Sequence, residues 1–142
     1  MKIRVMYSTS KKRMATYADA LARSQNINVD RIPPAFPCDR ERLVVLVLTL
    51  GQKVDDKVRR FAKELTKDRT SNVAFVFDSK TKELTEAMKE VIGYVKEAGA
   101  NVIENYYFVD GGGPLTLTGK ITIDQRKDIV NWLEELMETI KK

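Results

Sequence analysis

The chain has 142 residues, enough for one domain that buries about two-thirds of its unfolded surface in a single core, so no metal or disulfide staple is required. Its 25 Lys and Arg against 20 Asp and Glu give a formal charge of +5, which suits an acidic partner or a phosphate; both signs are interleaved, and neither a basic recognition helix nor an aromatic ribonucleoprotein motif marks a nucleic-acid binder. With no His and a single Cys, Cys38, the composition removes most hydrolase triads, the commonest metal ligand and an internal disulfide.

In Lys2-Ile3-Arg4-Val5-Met6-Tyr7 the residues Ile3, Val5 and Tyr7 fall on one face, the pattern of a first strand, and Ser8-Thr9-Ser10 punctuates it. Met14, Tyr17, Ala18, Leu21 and Ala22 then follow the spacing of an amphipathic helix, with Ser10 as its natural N-cap. Ile27 to Ile32 reads as a short polar strand at the sheet edge, ended by Pro33-Pro34, which remove two ladder donors. Residues 35 to 42 are too few for a crossover helix, so Pro37-Cys38-Asp39-Arg40 is expected to make a tight turn or a single helical turn. The run Leu43-Val44-Val45-Leu46-Val47-Leu48-Thr49-Leu50-Gly51 has no polar alternation, which suits a strand covered on both faces at the centre of a parallel sheet.

Val54, Val58, Phe61, Ala62 and Leu65 build a second helix, with Asp55 and Asp56 in its first turn where carboxylates suit the dipole. Val73 to Phe77 is another buried strand, and it stops at Asp78-Ser79-Lys80-Thr81. Leu84, Ala87, Met88, Val91, Ile92 and Val95 give a third helix that Gly99 closes as a left-handed C-cap. Asn101 to Val109 is the last strand, and Asp110-Gly111-Gly112-Gly113-Pro114 opens a loop toward Thr122. Asp124 then caps a final helix whose inward stripe is Ile129, Trp132, Leu133, Leu136, Met137 and Ile140.

Five strands alternating with four helices, without an internal repeat or a composition shift, predict one three-layer α/β domain over 1–142. Ligands of open parallel sheets bind at the carboxyl ends of the strands, so function is sought in the loops after them. The clearest candidate is Ser8-Thr9-Ser10-Lys11-Lys12-Arg13, where hydroxyls and free N–H groups at a helix start form an anion site. Cations beside the positive end of a helix dipole are unfavourable by about 0.3–1 kcal/mol each, so a bound anion relieves a conflict. Gly111-Gly112-Gly113 lacks a following Gly-Lys-Ser/Thr and reads as a flexible loop, and Tyr106 and Tyr107 point to opposite faces of their strand. Cys38 reads as a small, partly buried thiol, Trp132 as core, and Arg59, Arg60 and Lys63 as a solvated basic face.

Over nearly its whole length this order of elements resembles the flavodoxin family. The likeness is carried by a strand ending Tyr7-Ser8-Thr9-Ser10, a strand ending Thr49-Leu50-Gly51 followed by Val58-Arg59-Arg60-Phe61, then Val73 to Phe77, and a closing helix after the loop behind strand five. The resemblance implies a five-stranded parallel sheet in the order 2-1-3-4-5 with helices on both faces and FMN at its carboxyl edge. It implies that Ser8, Thr9, Ser10, Lys11, Lys12 and Arg13 hold the phosphate, that Thr49, Leu50 and Gly51 line one side of the ring, and that Asp78, Ser79 and Lys80 line the other. The family's usual work is one-electron transfer, with the potential set by hydrogen bonds and charges around the flavin. In this chain the family's glycine place in the first loop is Lys12 and its last hydroxyl is Met14. Neither ring loop carries the aromatic residue common in the family; Leu50 and the loop from Phe108 through Leu115 are the apolar cover available.

The expected function is therefore an FMN-binding electron carrier with no catalytic residue and no metal. Its expected partner is a redox protein or another protein of acidic surface, with no nucleic acid and no membrane. Without a signal-like start or a long apolar span, a soluble, cytoplasmic location is expected. The alternative is a flavodoxin-fold protein that has lost FMN and serves as an interaction or regulatory module. An enzyme acting on a phosphorylated substrate would need a nucleophile and base that the sequence does not supply, and a receiver domain would need acidic residues where strand one ends in Tyr7-Ser8.

Overall fold

The computed structural model describes residues 1–112 and 118–141. It runs β1 (Ile3–Ser8), α1 (Lys12–Ser24), β2 (Asp30–Arg31), β3 (Glu41–Leu48), α2 (Asp56–Lys63), β4 (Thr70–Asp78), α3 (Glu86–Ala98), β5 (Asn101–Val102), β6 (Tyr107–Val109) and α4 (Ile123–Lys141). Every pairing in the sheet is parallel, and the order is β2-β1-β3-β4-β5, with β6 also paired to β4. The expected order 2-1-3-4-5 is thus observed, with β5 and β6 sharing the fifth place.

The unbroken apolar run of β3 follows from its two covered faces. Val44, Leu46 and Leu48 turn toward α2 and α3 beside Met6, Phe75 and Phe77. Leu43, Val45 and Val47 turn toward α1 and α4 and meet Met14, Tyr17, Ile129 and Leu133. Each such side chain taken fully out of water contributes about 1.5–3 kcal/mol, which fixes this strand and the register of its neighbours. The charged Arg42, near the start of β3, stays exposed.

Several element ends differ from the sequence expectation, each for a local reason. The N-cap of α1 is Lys11 rather than Ser10, and it makes no side-chain cap because an ammonium has no acceptor; its own N–H donates to Thr9 Oγ1 at 3.1 Å, and Ser10 is left exposed. Only Asp30 and Arg31 of the segment Ile27 to Ile32 pair with β1, while Ile27 and Val29 pack on the α1–α4 face. No helical turn forms over 35–42; Arg4 and Arg69 hold this strap through the carbonyls of Phe36 at 2.9 Å and Cys38 at 3.0 Å, and Cys38 is buried. Asp55 is the N-cap of α2 rather than part of its first turn, accepting the Lys57 N–H at 2.9 Å. The cap of α4 is Thr122 instead of Asp124: its hydroxyl accepts the Gln125 N–H at 3.0 Å while the Gln125 side chain accepts the Thr122 N–H at 2.8 Å. Gly99 closes α3 at φ +121°, as its sequence position suggests.

The last strand is broken. Val73 pairs with Val102, but Val76 pairs with Tyr107, so two extra residues are taken up between β5 and β6. The interruption is held by Trp132, whose indole Nε1 donates to the Asn105 carbonyl at 3.0 Å and whose ring packs 5.4 Å from Tyr107. Tyr106 lies on the opposite face, 6.3 Å from Phe75 and 6.0 Å from Phe77, as the alternation requires. Burial, and then its hydrogen bond to Asp128, push the Tyr107 phenol above its ordinary range. Trp132→Phe keeps most of the packing and loses the indole bond, so it should cost about 1–2 kcal/mol in urea unfolding. The measurement needs circular dichroism, since Trp132 is the sole tryptophan. An unchanged midpoint would mean that water replaces the indole at Asn105.

Candidate functional site

The loops after β1, β3, β4 and β6 meet at the carboxyl edge around one side chain. Asp78, the last residue of β4, has a side chain only 6 % exposed. Its Oδ2 accepts from Lys11 Nζ at 2.7 Å and from the Thr49 hydroxyl at 3.1 Å, and its Oδ1 accepts the Gly111 N–H at 2.8 Å. A hydroxyl has one proton, and that of Thr49 goes to Asp78; the Thr9 hydroxyl, 2.7 Å away, is therefore the donor to Thr49 Oγ1. Thr9 Oγ1 in turn accepts the Lys11 N–H. Lys11 thus donates at both ends of a closed loop of hydrogen bonds, from its N–H through Thr9 and Thr49 and directly from Nζ, and both arms converge on the Asp78 carboxylate; along the hydroxyl arm each bond polarises the next.

Gly111 is required at its place. A Cβ there would lie 2.7 Å from each oxygen of Asp78, so only a glycine lets the backbone N–H reach the carboxylate. A second tie runs beside the first: Arg13 Nη1 donates to the Asp110 carbonyl at 3.3 Å, and Asp110 Oδ1 accepts the Gly112 N–H at 2.9 Å. Gly119 packs against the first turns of α1, where a Cβ would meet Thr16 Oγ1 at 2.8 Å and the Lys12 carbonyl at 3.0 Å.

The residues expected at the site divide into two groups. Thr9, Lys11, Thr49 and Asp78 are brought into the bonded ring. Ser8 ends β1, and its carbonyl accepts the Thr49 N–H at 3.1 Å. Ser10, Lys12, Gly51 and Lys80 stand on the surface. Leu50 packs on the core of the α2–α3 face, and the Ser79 hydroxyl turns to Thr81 at 3.3 Å and the Glu83 carbonyl at 3.5 Å. Asp78 therefore faces the first loop rather than extending the surface of Ser79 and Lys80. Gly111 and Gly112, expected in a flexible loop, are buried and bonded; Gly113, Pro114 and Leu115 lie outside the described residues. Asp110 and Gly111 are not among the residues expected at the site, and their one sequence signal is a run of three glycines directly behind a strand that ends at the carboxyl edge.

The charge conflict at the start of α1 is partly resolved from within. Of three consecutive cations there, Lys11 is neutralised by Asp78, and Lys12 and Arg13 remain beside the first helical turn, whose N–H groups have no side-chain cap among the described residues. That turn carries no acidic residue. The arrangement suits a small anion on the outer side of the loop. Among the described residues no group of three metal-ligating side chains occurs, and no helix is long and apolar enough to cross a membrane.

A Gly111→Ala chain should lose about 1–3 kcal/mol of stability, because the three bonds to Asp78 leave the carboxylate no room to retreat. Gly51→Ala is the control: its Cβ meets nothing within 4 Å, and its unfolding midpoint should move by no more than about 0.5 kcal/mol equivalent. Equal midpoints for the two variants would show that the Gly111–Asp78 contact is not a constraint.

No protein-family model matches the chain, and no curated protein matches it. Among solved structures it is similar to the flavodoxin of Streptococcus pneumoniae TIGR4, with a TM-score of 0.61 over 96 % of this chain and 98 % of that one at 13 % sequence identity. With the sheet order observed above, this similarity shows a flavodoxin-like fold.

Proposed function

We propose that this flavodoxin-fold chain binds FMN at its carboxyl edge and carries single electrons to a cytoplasmic partner of acidic surface. The observation that carries the reading is the division of the first loop: Lys11 is turned inward onto Asp78, while Ser10 and Lys12 are exposed at the start of α1 with Arg13 beside them. The residues fit the cofactor through its phosphate, for which the Ser10 hydroxyl, two cations and the free N–H groups of the first turn are donors of the right kind. Toward the ring, Leu50 offers an apolar contact and Ser79 and Lys80 polar ones. Bound flavin would supply the one-electron chemistry, and the chain's role would be to hold it and to set the charge around it. The net charge of +5 favours encounter with an acidic protein.

A second reading, a module without cofactor, is favoured by one observation. The buried Asp78 carboxylate and its bonds already close the loops after β1, β3 and β6 on the end of β4. A carboxylate beside the phosphate position opposes a dianion.

Titration of the ligand-free protein with FMN, followed by quenching of flavin fluorescence, separates the two. The first reading expects a Kd of about 1 µM or tighter, weakened about tenfold by Lys12→Ala or Arg13→Ala. Asp78→Asn removes the opposing charge and should bind at least as tightly as the unaltered chain. Failure of the unaltered chain to bind at about 50 µM, with binding restored in Asp78→Asn, establishes the second reading. Failure of both removes FMN binding from this chain.

A further inference from the structure

A pocket lies away from the carboxyl edge, along the flank of α2, where the strap between β2 and β3 passes over the helix. It has a volume of about 260 Å³. Its floor is apolar: Phe61 and Leu65 from the α2 segment, Cys38, and the prolines Pro33, Pro34 and Pro37 of the strap. Phe61, Leu65 and Cys38 are each at most 5 % exposed, so this floor continues the core of that face. Burial pushes the Cys38 thiol up to about 11, so at neutral pH it is an uncharged part of the floor. Phe36, between Pro34 and Pro37 in the chain, is 78 % exposed and extends apolar surface beyond the strap.

The polar lining has a sign. Lys57, Arg60 and Arg69 stand against one carboxylate, Glu64. Lys57 has no ion pair among the described residues, and Arg60 reaches Asp56 only at 3.8 Å. Arg69 is anchored by its bond to the Cys38 carbonyl, which fixes its guanidinium at the wall with further N–H donors unspent. An apolar floor in a half-open cleft with a few cations along its lining is the composition of a small-molecule site.

We infer that this pocket binds a small amphipathic monocarboxylate, with an aryl or short acyl body on the proline and Phe61 floor and its carboxylate at the Lys57, Arg60 and Arg69 rim. The volume exceeds that of an engineered cavity of about 150 Å³ that holds benzene, so one fused aromatic ring pair or its aliphatic equivalent is the upper size. A monoanion is favoured over a dianion because Glu64 lines the same rim. The site is independent of the flavin reading, since no residue is shared.

Two-dimensional amide NMR of the whole chain tests it, with 2-naphthoate as the probe and naphthalene-2-carboxamide as its neutral twin. Saturable shifts are expected at Cys38, Phe61, Leu65 and Arg69, with a Kd of about 1 mM or tighter for the acid. The carboxamide should bind about tenfold more weakly. A Lys57→Gln, Arg60→Gln chain, which keeps only Arg69 of the three cations, should narrow that difference while its own spectrum stays native, because both side chains are on the surface. Equal affinity of acid and amide in the unaltered chain overturns the inference. So do shifts confined to the carboxyl edge, or none at all. The same pocket shifts on concentrating the protein alone would show that the occupant is Phe36 of a second copy, and that result overturns it as well.

Discussion

A carboxylate with so little exposure is tolerated at the end of β4 because an ammonium, a hydroxyl and a backbone amide meet its two oxygens. Buried charge without such partners is among the costliest defects a core can hold. The partners come from the loops after β1, β3 and β6, none of which neighbours another in sequence. The position of each loop therefore depends on the other two. The N-cap of α1 is itself a lysine, whose ammonium has no acceptor to offer the helix, and that ammonium is committed to Asp78.

The fold was legible in the sequence wherever burial alone decides structure. The run from Leu43 to Leu48 announces a strand covered on both faces, and the stripes ending in Val95 and in Ile140 announce helices, because removal of apolar surface from water acts on every residue of the pattern. Where a distant polar contact decides, the local pattern misleads. Asn101 to Val109 reads as one strand; it breaks because the indole of Trp132 takes the Asn105 carbonyl and two residues are displaced from the ladder. Ser10 reads as a cap and Asp124 as another, yet Thr9 and Gln125 make the bonds that settle both helix starts. The site shows the same division. Its loops were identifiable from the strand ends, but the pairing of Lys11 with Asp78 and the demand for glycine at 111 exist only once the strands are side by side.

The two ends of α2 serve different surroundings. Its N-cap, Asp55, stands a few residues beyond the loop of Thr49 to Gly51, whereas Phe61 and Leu65 near its far end form the floor of the strap pocket. The eight-residue helix is too short to cover the whole flank of β3 by itself, and the strap from Pro33 to Cys38 completes the cover. Prolines suit that task, since they fix the backbone and ask for no ladder partner. The cost is imperfect closure: rigid rings laid across a helix do not interdigitate as flexible side chains do, and the pocket is the space left between them.

Three consecutive cations at the positive end of a helix would be hard to explain if all three had the same task. The geometry gives them separate ones. Lys11 is a structural counter-ion, its ammonium 2.7 Å from Asp78 and its amide spent on Thr9. Arg13 reaches across to the Asp110 carbonyl and ties α1 to the loop after β6. Lys12 alone extends into solvent with no ion pair among the described residues. Repulsion among the three is lowered by drawing one inward and one sideways, and the remaining positive charge, Lys12, lies at the positive end of the helix dipole. An anion arriving there meets Lys12 and the helix start without having to displace Asp78 from Lys11. The inner carboxylate is thus held by Lys11, while Lys12 of the same short segment faces out.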